Sequence, residues 1–154
     1  MNVRGVLVQG WGTAGRRPRR AADAERTSRP LATTSVLVVD DDERVRRLTA
    51  RMLREFGYTT TEADSGAEAL AILAHRPDIQ VVVTDLVMPG IHGIELAERV
   101  RTGHPHCRVV LVTGYAPDQL GRFGARRPGL PLLLKPFVAE ELVRQIRHVL
   151  GDAH

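Results

Sequence analysis

The residue pattern that most constrains this chain is the alternation of continuous apolar runs with helical segments between residues 34 and 150. Two of the runs, 36–39 and 79–84, are rich in β-branched residues. A continuous apolar run of this length predicts a strand that is buried on both faces. Between the runs, apolar residues recur every three or four positions, as they do on one face of a helix. Strands that alternate with helices predict a parallel sheet with helices on both sides.

This pattern predicts five strands and about five helical segments. The strands are expected at 36–39, 58–62, 79–84, 109–112 and 132–134. The helices are expected at 45–56, 65–75, 94–102 and 138–150. Residues 116–130 are rich in glycine and proline, so a helix there must be short or irregular. The chain contains no internal repeat, and the length after residue 33 suits one domain.

Residues 1–33 differ in composition from the rest of the chain. They hold seven arginines and two acidic residues, so their net charge is +5, and the remainder carries −1 of the total of +4. They lack sustained apolar periodicity, and we expect a disordered Arg-rich extension before a folded domain at 34–151. Because the folded part is close to neutral, we expect nucleic-acid binding nowhere except in the extension.

Composition also bears on the compartment. No apolar run approaches the ~18 residues that a membrane span requires, so we expect no membrane partner. The one cysteine, Cys107, excludes an internal disulfide and a cysteine-based zinc site. Such a composition fits a reducing compartment, and we expect a cytoplasmic protein.

Four of the five expected strands end in a polar side chain that could react or coordinate. In chain order these residues are Asp40 with Asp41, Asp85, Thr113 and Lys135. In an open parallel sheet, ligands bind outside the carboxyl ends of the strands. We therefore expect all of these side chains to converge at one edge of the sheet.

Such a cluster is suited to phosphoryl chemistry. Three carboxylates brought close together repel one another, so some must protonate or bind a cation. Mg²⁺ suits them because it takes oxygen ligands. A carboxylate beside Mg²⁺ can attack a phosphoryl group and form an aspartyl phosphate. Lys135 and the Thr113 hydroxyl could then hold the phosphoryl oxygens.

Four segments carry these residues: VLVVDDDE at 36–43, TDLVMPGIHG at 84–93, VTGY at 112–115 and LKPF at 134–137. Together they resemble the receiver domain of two-component response regulators, over residues 34–150. The resemblance implies an α/β, flavodoxin-like (βα)5 sandwich with a parallel five-stranded sheet in the order 2-1-3-4-5.

The resemblance also assigns roles to single residues. Asp85 would be the phosphoacceptor, Thr113 the switch hydroxyl and Lys135 the group that binds the phosphoryl oxygens, with a cis peptide bond before Pro136. The phosphoryl donor would be a histidine kinase or a histidine phosphotransfer protein.

A magnesium site is implied in the same way. Asp40 and Asp41 would place Mg²⁺ together with Asp85 and the backbone carbonyl of Val87. The protein would then be a phosphoacceptor rather than an enzyme, limited to Mg²⁺-dependent self-phosphorylation and slow autodephosphorylation.

Two features depart from the commonest receiver pattern. Leu132 stands where an aromatic residue is frequent, three positions before Lys135, and residues 121–129 are rich in glycine and proline. Both features look like receivers of hybrid sensor histidine kinases and stand-alone single-domain regulators. Because the chain continues only four residues past Leu150, we expect no attached output domain.

Two alternatives come from other functional classes. The first is a phosphatase of the haloacid-dehalogenase type, since Asp40 and Asp42 after a strand match its nucleophile motif superficially. It leaves Asp85 unexplained, and the threonine usual shortly after the second aspartate is missing. The second is an interaction module that works without phosphorylation.

Overall fold

The computed structural model describes residues 34–115, 119, 121 and 130–151. The expected disordered extension at 1–33 lies outside the described residues. So does most of the segment 116–130, where a short or irregular helix is expected.

The described residues form a five-stranded parallel sheet, with one helix after each of the first three strands and one after the fifth. The strands are β1 (Ser35–Val39), β2 (Thr59–Ala63), β3 (Ile79–Asp85), β4 (Arg108–Thr113) and β5 (Leu132–Leu134). The helices are α1 (Glu43–Glu55), α2 (Gly66–His75), α3 (Gly93–Gly103) and α4 (Ala139–Val149). The strand order is β2-β1-β3-β4-β5, which confirms the flavodoxin-like fold.

The core is aliphatic and is centred on the middle strands. Every residue of β1 is buried, and so are Val81–Thr84 of β3. The edge strands β2 and β5 are only partly covered. This is the burial expected when helices cover both faces of a parallel sheet. No helix among these residues is long and apolar enough to cross a membrane.

Side-chain caps fix where the first two helices begin. The Asp42 carboxylate accepts hydrogen bonds from the backbone N–H groups of Arg44 and Val45, at 3.0 and 3.3 Å. The Ser65 hydroxyl accepts one from the N–H of Glu68 at 3.1 Å. Each cap satisfies N–H groups that the helix leaves without an internal partner. As a result, α1 starts immediately beyond the carboxyl end of β1.

The register of the sheet brings the carboxyl ends of the strands to one level. Val39 of β1 pairs with Thr84 of β3, and the next residue of β3, Asp85, pairs with Val112 of β4. Thr113 in turn pairs with Leu134 of β5. The polar residues predicted at the strand ends therefore lie on neighbouring strands at the same edge.

Gly93, the first residue of α3, packs against the backbone at the end of β3. Its N–H donates to the carbonyl of Leu86 at 2.8 Å. A Cβ at this position would lie 2.5 Å from the carbonyl oxygen of Asp85 and 3.0 Å from Leu86 Cα. Such distances are shorter than real Cβ contacts, so a larger side chain must displace the backbone that carries Asp85.

We therefore expect Gly93→Ala to destabilise the fold by roughly 1–3 kcal/mol, the usual cost of overpacking. Gly103→Ala is the matched control, because it lies at the other end of α3 and a Cβ added there would have no atom within 4 Å. Urea unfolding of the two variants measures the difference. Equal stability of both variants would contradict the close-approach argument.

Candidate functional site

Three carboxylates meet at the carboxyl edge of the sheet. Asp40 follows β1 and is 3% exposed, Asp41 is exposed, and Asp85 ends β3 in a half-buried position. One carboxylate oxygen from each residue lies within 4.8 Å of the others. We call Asp40, Asp41 and Asp85 the acidic cluster.

Lys135 reaches the acidic cluster from the far side of β4. Its Nζ donates to Asp40 Oδ2 at 3.1 Å and lies 3.6 Å from Asp85 Oδ1. Its side chain is 24% exposed. The peptide bond between Lys135 and Pro136 is cis, as the resemblance implies. One ammonium group therefore offsets part of the repulsion among three carboxylates.

The three carboxylates are not held equally. Asp40 is bonded through both oxygens, because Oδ1 accepts from the N–H of Asp42 at 2.9 Å while Oδ2 accepts from Lys135. Asp85 lies near the same ammonium group. Asp41 makes no side-chain hydrogen bond or ion pair with any residue in the described part of the chain. The orientation of the Asp41 carboxylate therefore depends on the conformation of the Asp41 backbone.

Thr113 is the last residue of β4 and is 1% exposed. It follows Val112, which pairs with Asp85 of β3. Its Oγ1 accepts from the N–H of Tyr115 at 3.1 Å, and its carbonyl accepts from the N–H of Lys135 at 2.7 Å. The hydroxyl oxygen is thus held by backbone, and its hydrogen is left to donate. Thr113 thus links the end of β4 to Lys135, the first residue after β5.

Val87 lies two residues beyond Asp85 in the loop that leads into α3, and its side chain is half-buried. The loop is pinned at both ends, because Leu86 N–H donates to the Val112 carbonyl at 2.8 Å and Leu86 accepts from Gly93. The proposed contribution of the Val87 carbonyl to a metal site stays a prediction.

Burial is the main influence on the Asp85 carboxyl. Loss of contact with water raises its pKa to about 6, and the negative charges of Asp40 and Asp41 act in the same direction. The Lys135 ammonium and the N–H of Leu86 oppose this rise. Asp85 is therefore ionised above about pH 6, but its charge is held at a cost in free energy.

The donor set fits a hard divalent cation. All three side chains offer carboxylate oxygens, and Mg²⁺ prefers a few carboxylates together with water. The cluster also has net negative charge after Lys135 is counted. Asp40, Asp41 and Asp85 are therefore suited to hold Mg²⁺.

The arrangement disfavours the phosphatase alternative. That interpretation requires Asp42 to act beside Asp40, but one Asp42 oxygen accepts the two N–H groups that start α1. The third carboxylate in the cluster is instead Asp85. Asp42 is accounted for by helix capping.

One site residue has no signal in the sequence. Arg46 of α1 donates from Nη1 to the carbonyl oxygen of Asp40 at 3.0 Å, and from Nε to Glu62 Oε1 at 3.0 Å. Neither its spacing from Asp40 nor the sixteen residues that separate it from Glu62 predict this contact.

The raised pKa of Asp85 predicts a pH-dependent stability in metal-free protein. Its folded-state pKa of about 6 exceeds the ordinary 3.8, so the folded state binds the proton more tightly than the unfolded chain. That contribution is present below pH 4 and is lost as the pH rises through 6. In EDTA at pH 7.5 we expect Asp85→Asn to be more stable than wild type by roughly 1–3 kcal/mol.

The gain should shrink as the pH falls from 7 to 4, since Asp85 in the wild type then protonates. Chemical unfolding across this pH range is the measurement. A stability difference that does not change with pH would show that the Asp85 charge is not under strain.

Comparison with known proteins identifies the family. A family model described as the response regulator receiver domain matches residues 36–147. CpdR, a response regulator receiver protein of Brucella abortus, is 34% identical over 115 residues, which cover 75% of this chain and 95% of CpdR. The chemotaxis protein CheY of Pseudomonas aeruginosa is 38% identical, over 74% of this chain and 94% of CheY.

The match to a third relative is partial. Sensor kinase CckA of Brucella abortus is 36% identical over 75% of this chain, but the match spans 12% of the kinase. Among solved structures, the receiver domain from hybrid histidine kinase CckA is 31% identical, with a TM-score of 0.63 over 75% of this chain and 98% of that domain. A Clostridium thermocellum receiver domain protein is 28% identical, with a TM-score of 0.69 over 77% of this chain and 94% of that protein.

These matches agree with the strand order and with the four motif segments. The chain therefore belongs to the response regulator receiver domain family, and its folded unit is a receiver domain of two-component systems.

Proposed function

We propose that Asp85 accepts a phosphoryl group in a reaction that requires Mg²⁺ at the acidic cluster. The observation that carries this proposal is the position of the Asp85 carboxylate. It lies within 4.8 Å of two further carboxylates and 3.6 Å from the Lys135 ammonium. A nucleophilic oxygen, a cation site and a fixed positive charge therefore occur together.

One set of residues would bind the metal, and another would bind the phosphoryl oxygens. Asp40, Asp41 and Asp85, with the carbonyl of Val87, would hold Mg²⁺, and the cation would supply positive charge to the incoming phosphoryl oxygens. Lys135 pairs with one of those oxygens, and the Thr113 hydroxyl donates a hydrogen bond to another.

The transfer step is a displacement at phosphorus. An Asp85 carboxylate oxygen forms the new bond to phosphorus while the bond from phosphorus to a donor histidine nitrogen breaks. The electron pair of that bond stays on the nitrogen, and the ring takes up one proton from water, so the leaving group is neutral imidazole. Because Asp85 is ionised above about pH 6, it needs no separate base at neutral pH.

The relatives indicate the class of phosphoryl donor. They include a sensor kinase and the receiver domain of a hybrid histidine kinase. We therefore propose that a histidine kinase or a histidine phosphotransfer protein supplies the phosphoryl group. We also propose a cytoplasmic location, because one cysteine and no internal disulfide fit a reducing compartment. The unit at 34–151 would act by binding partners rather than by turning over a substrate.

A protein partner is also favoured by the surface beside the site. Tyr115, Leu134 and Val138 are large hydrophobic residues with 40%, 41% and 58% exposure. They flank Thr113 and Lys135 in the chain. Exposed apolar side chains therefore lie within three residues of Thr113 or Lys135 in the chain, where a protein partner can contact them.

Asp85→Asn should abolish the gain of a hydroxylamine-sensitive phosphoryl group when the full chain is incubated with acetyl phosphate and Mg²⁺. The substitution keeps the shape of the side chain and removes the nucleophile. Asp64→Asn, an exposed aspartate outside the acidic cluster, is the control and should react like wild type. Intact-protein mass spectrometry gives the extent of reaction.

Wild-type reaction in Asp85→Asn would show that another residue is the acceptor. A wild-type protein that gains no phosphoryl group with Mg²⁺ would favour the phosphorylation-independent interaction module.

The phosphorylated form should be long-lived. Hydrolysis requires a water in line with the bond from Asp85 to phosphorus, and the residues two positions beyond Asp85 and Thr113 are Val87 and Tyr115. Neither side chain offers a carboxylate or amide to orient that water. The combined Val87→Asn, Tyr115→Glu variant should lose its phosphoryl group faster than wild type, as followed by mass spectrometry over time. Equal decay rates would show that water access at these positions does not limit the lifetime.

A further inference from the structure

Arg46 connects α1 to β2 and to the loop that follows β1. It lies in α1, and its side chain is 15% exposed although it carries a charge. The guanidinium donates from Nε to Glu62 Oε1 at 3.0 Å and from Nη1 to the Asp40 carbonyl oxygen at 3.0 Å. A planar guanidinium with donors in a fixed fork suits two acceptors held at a set angle.

Glu62, the partner of Arg46, is fixed in the sheet through its backbone, and its side chain is 32% exposed. It belongs to β2, where it pairs with Val38 of β1. The sheet bonding continues to the loop, because Asp40 N–H donates to the Ala63 carbonyl at 3.2 Å. Arg46 is paired with Glu62, and it contacts the acidic cluster through a backbone carbonyl rather than through a carboxylate.

The bond to the Asp40 carbonyl bears on the residue that follows. The carbonyl of Asp40 and the N–H of Asp41 share one planar peptide group. A hydrogen bond that fixes the carbonyl therefore fixes the plane from which the Asp41 backbone continues. The Asp41 carboxylate has no hydrogen bond or ion pair within the described residues, whereas both Asp40 oxygens are bonded. Asp41 is thus the cluster member that most depends on its backbone.

We propose that Arg46, anchored by Glu62, is a positioning residue that holds the peptide between Asp40 and Asp41 so that the Asp41 carboxylate faces the metal. This inference rests on the proposed function, in which Asp41 is a ligand of Mg²⁺. Arg46 touches neither the metal nor the phosphoryl group.

A graded set of variants separates this role from a general loss of packing. Arg46→Gln removes the fork, and Arg46→Lys leaves a single ammonium group that can bond one acceptor well. The matched control is Arg47→Gln, the next residue of the same helix. Arg47 is 70% exposed and pairs with Glu43 at 2.7 Å on the same helix.

The measurement is the apparent Mg²⁺ dissociation constant of the full chain, without any phosphodonor. It is taken from the rise of the thermal unfolding midpoint with Mg²⁺, followed by far-UV circular dichroism. We expect Arg46→Gln to weaken Mg²⁺ binding roughly tenfold, as loss of a group that orients a metal ligand does. Arg46→Lys should fall between, and Arg47→Gln should match wild type. The midpoint in EDTA records any structural loss separately.

A double-variant comparison tests the route of the effect. If Arg46 acts through Asp41, Arg46→Gln should cause no further loss of Mg²⁺ affinity in an Asp41→Asn background. A further tenfold loss there would overturn the inference, and so would equal Mg²⁺ affinity in Arg46→Gln and Arg47→Gln.

Two other outcomes are also informative. If Arg46→Gln does not fold, Glu62→Gln loosens the same anchor more mildly and should give a smaller loss of Mg²⁺ affinity. An unchanged affinity in Glu62→Gln would overturn the inference. No Mg²⁺ stabilisation of the wild type would overturn the metal site, and therefore the proposed function itself.

Discussion

Repulsion among three carboxylates at the end of a parallel sheet is the constraint on which the rest of the structure depends. Their oxygens lie within 4.8 Å of one another, and joint ionisation at that range is costly. Lys135 offsets part of the cost, and the pKa of Asp85 still rises to about 6. The net negative charge of the site therefore favours the binding of a cation. In the proposed function, Mg²⁺ would relieve this charge imbalance and Asp85 would accept the phosphoryl group beside it.

The surrounding fold keeps this strained cluster in place. The β1 end is held by Arg46 and by the α1 cap at Asp42, while the close packing of Gly93 holds the backbone at the end of β3. Lys135, which follows β5, is held beside the end of β4 by the hydrogen bond from its N–H to the Thr113 carbonyl. The loops after β1, β3 and β5 are thus each tied to a neighbouring strand by a backbone hydrogen bond.

Much of this arrangement could be predicted from the sequence, because it follows from local patterns and strand order. The apolar runs predict the strands, and the convergence of Asp40, Asp85, Thr113 and Lys135 follows from a parallel sheet. The contact of Arg46 with Glu62 could not be predicted, since it joins two elements whose side-chain directions depend on packing. The raised pKa of Asp85 likewise depends on burial, which a sequence does not measure.

The most direct test of the central claim is to locate the phosphoryl group on the wild-type chain. Borohydride reduces an aspartyl phosphate to homoserine, so treatment after reaction with acetyl phosphate and Mg²⁺ marks the acceptor permanently. Peptide mass spectrometry should find homoserine at position 85 and none when EDTA replaces Mg²⁺. Homoserine at Asp40, Asp41 or Asp42 instead, or the same yield in EDTA, would contradict the account.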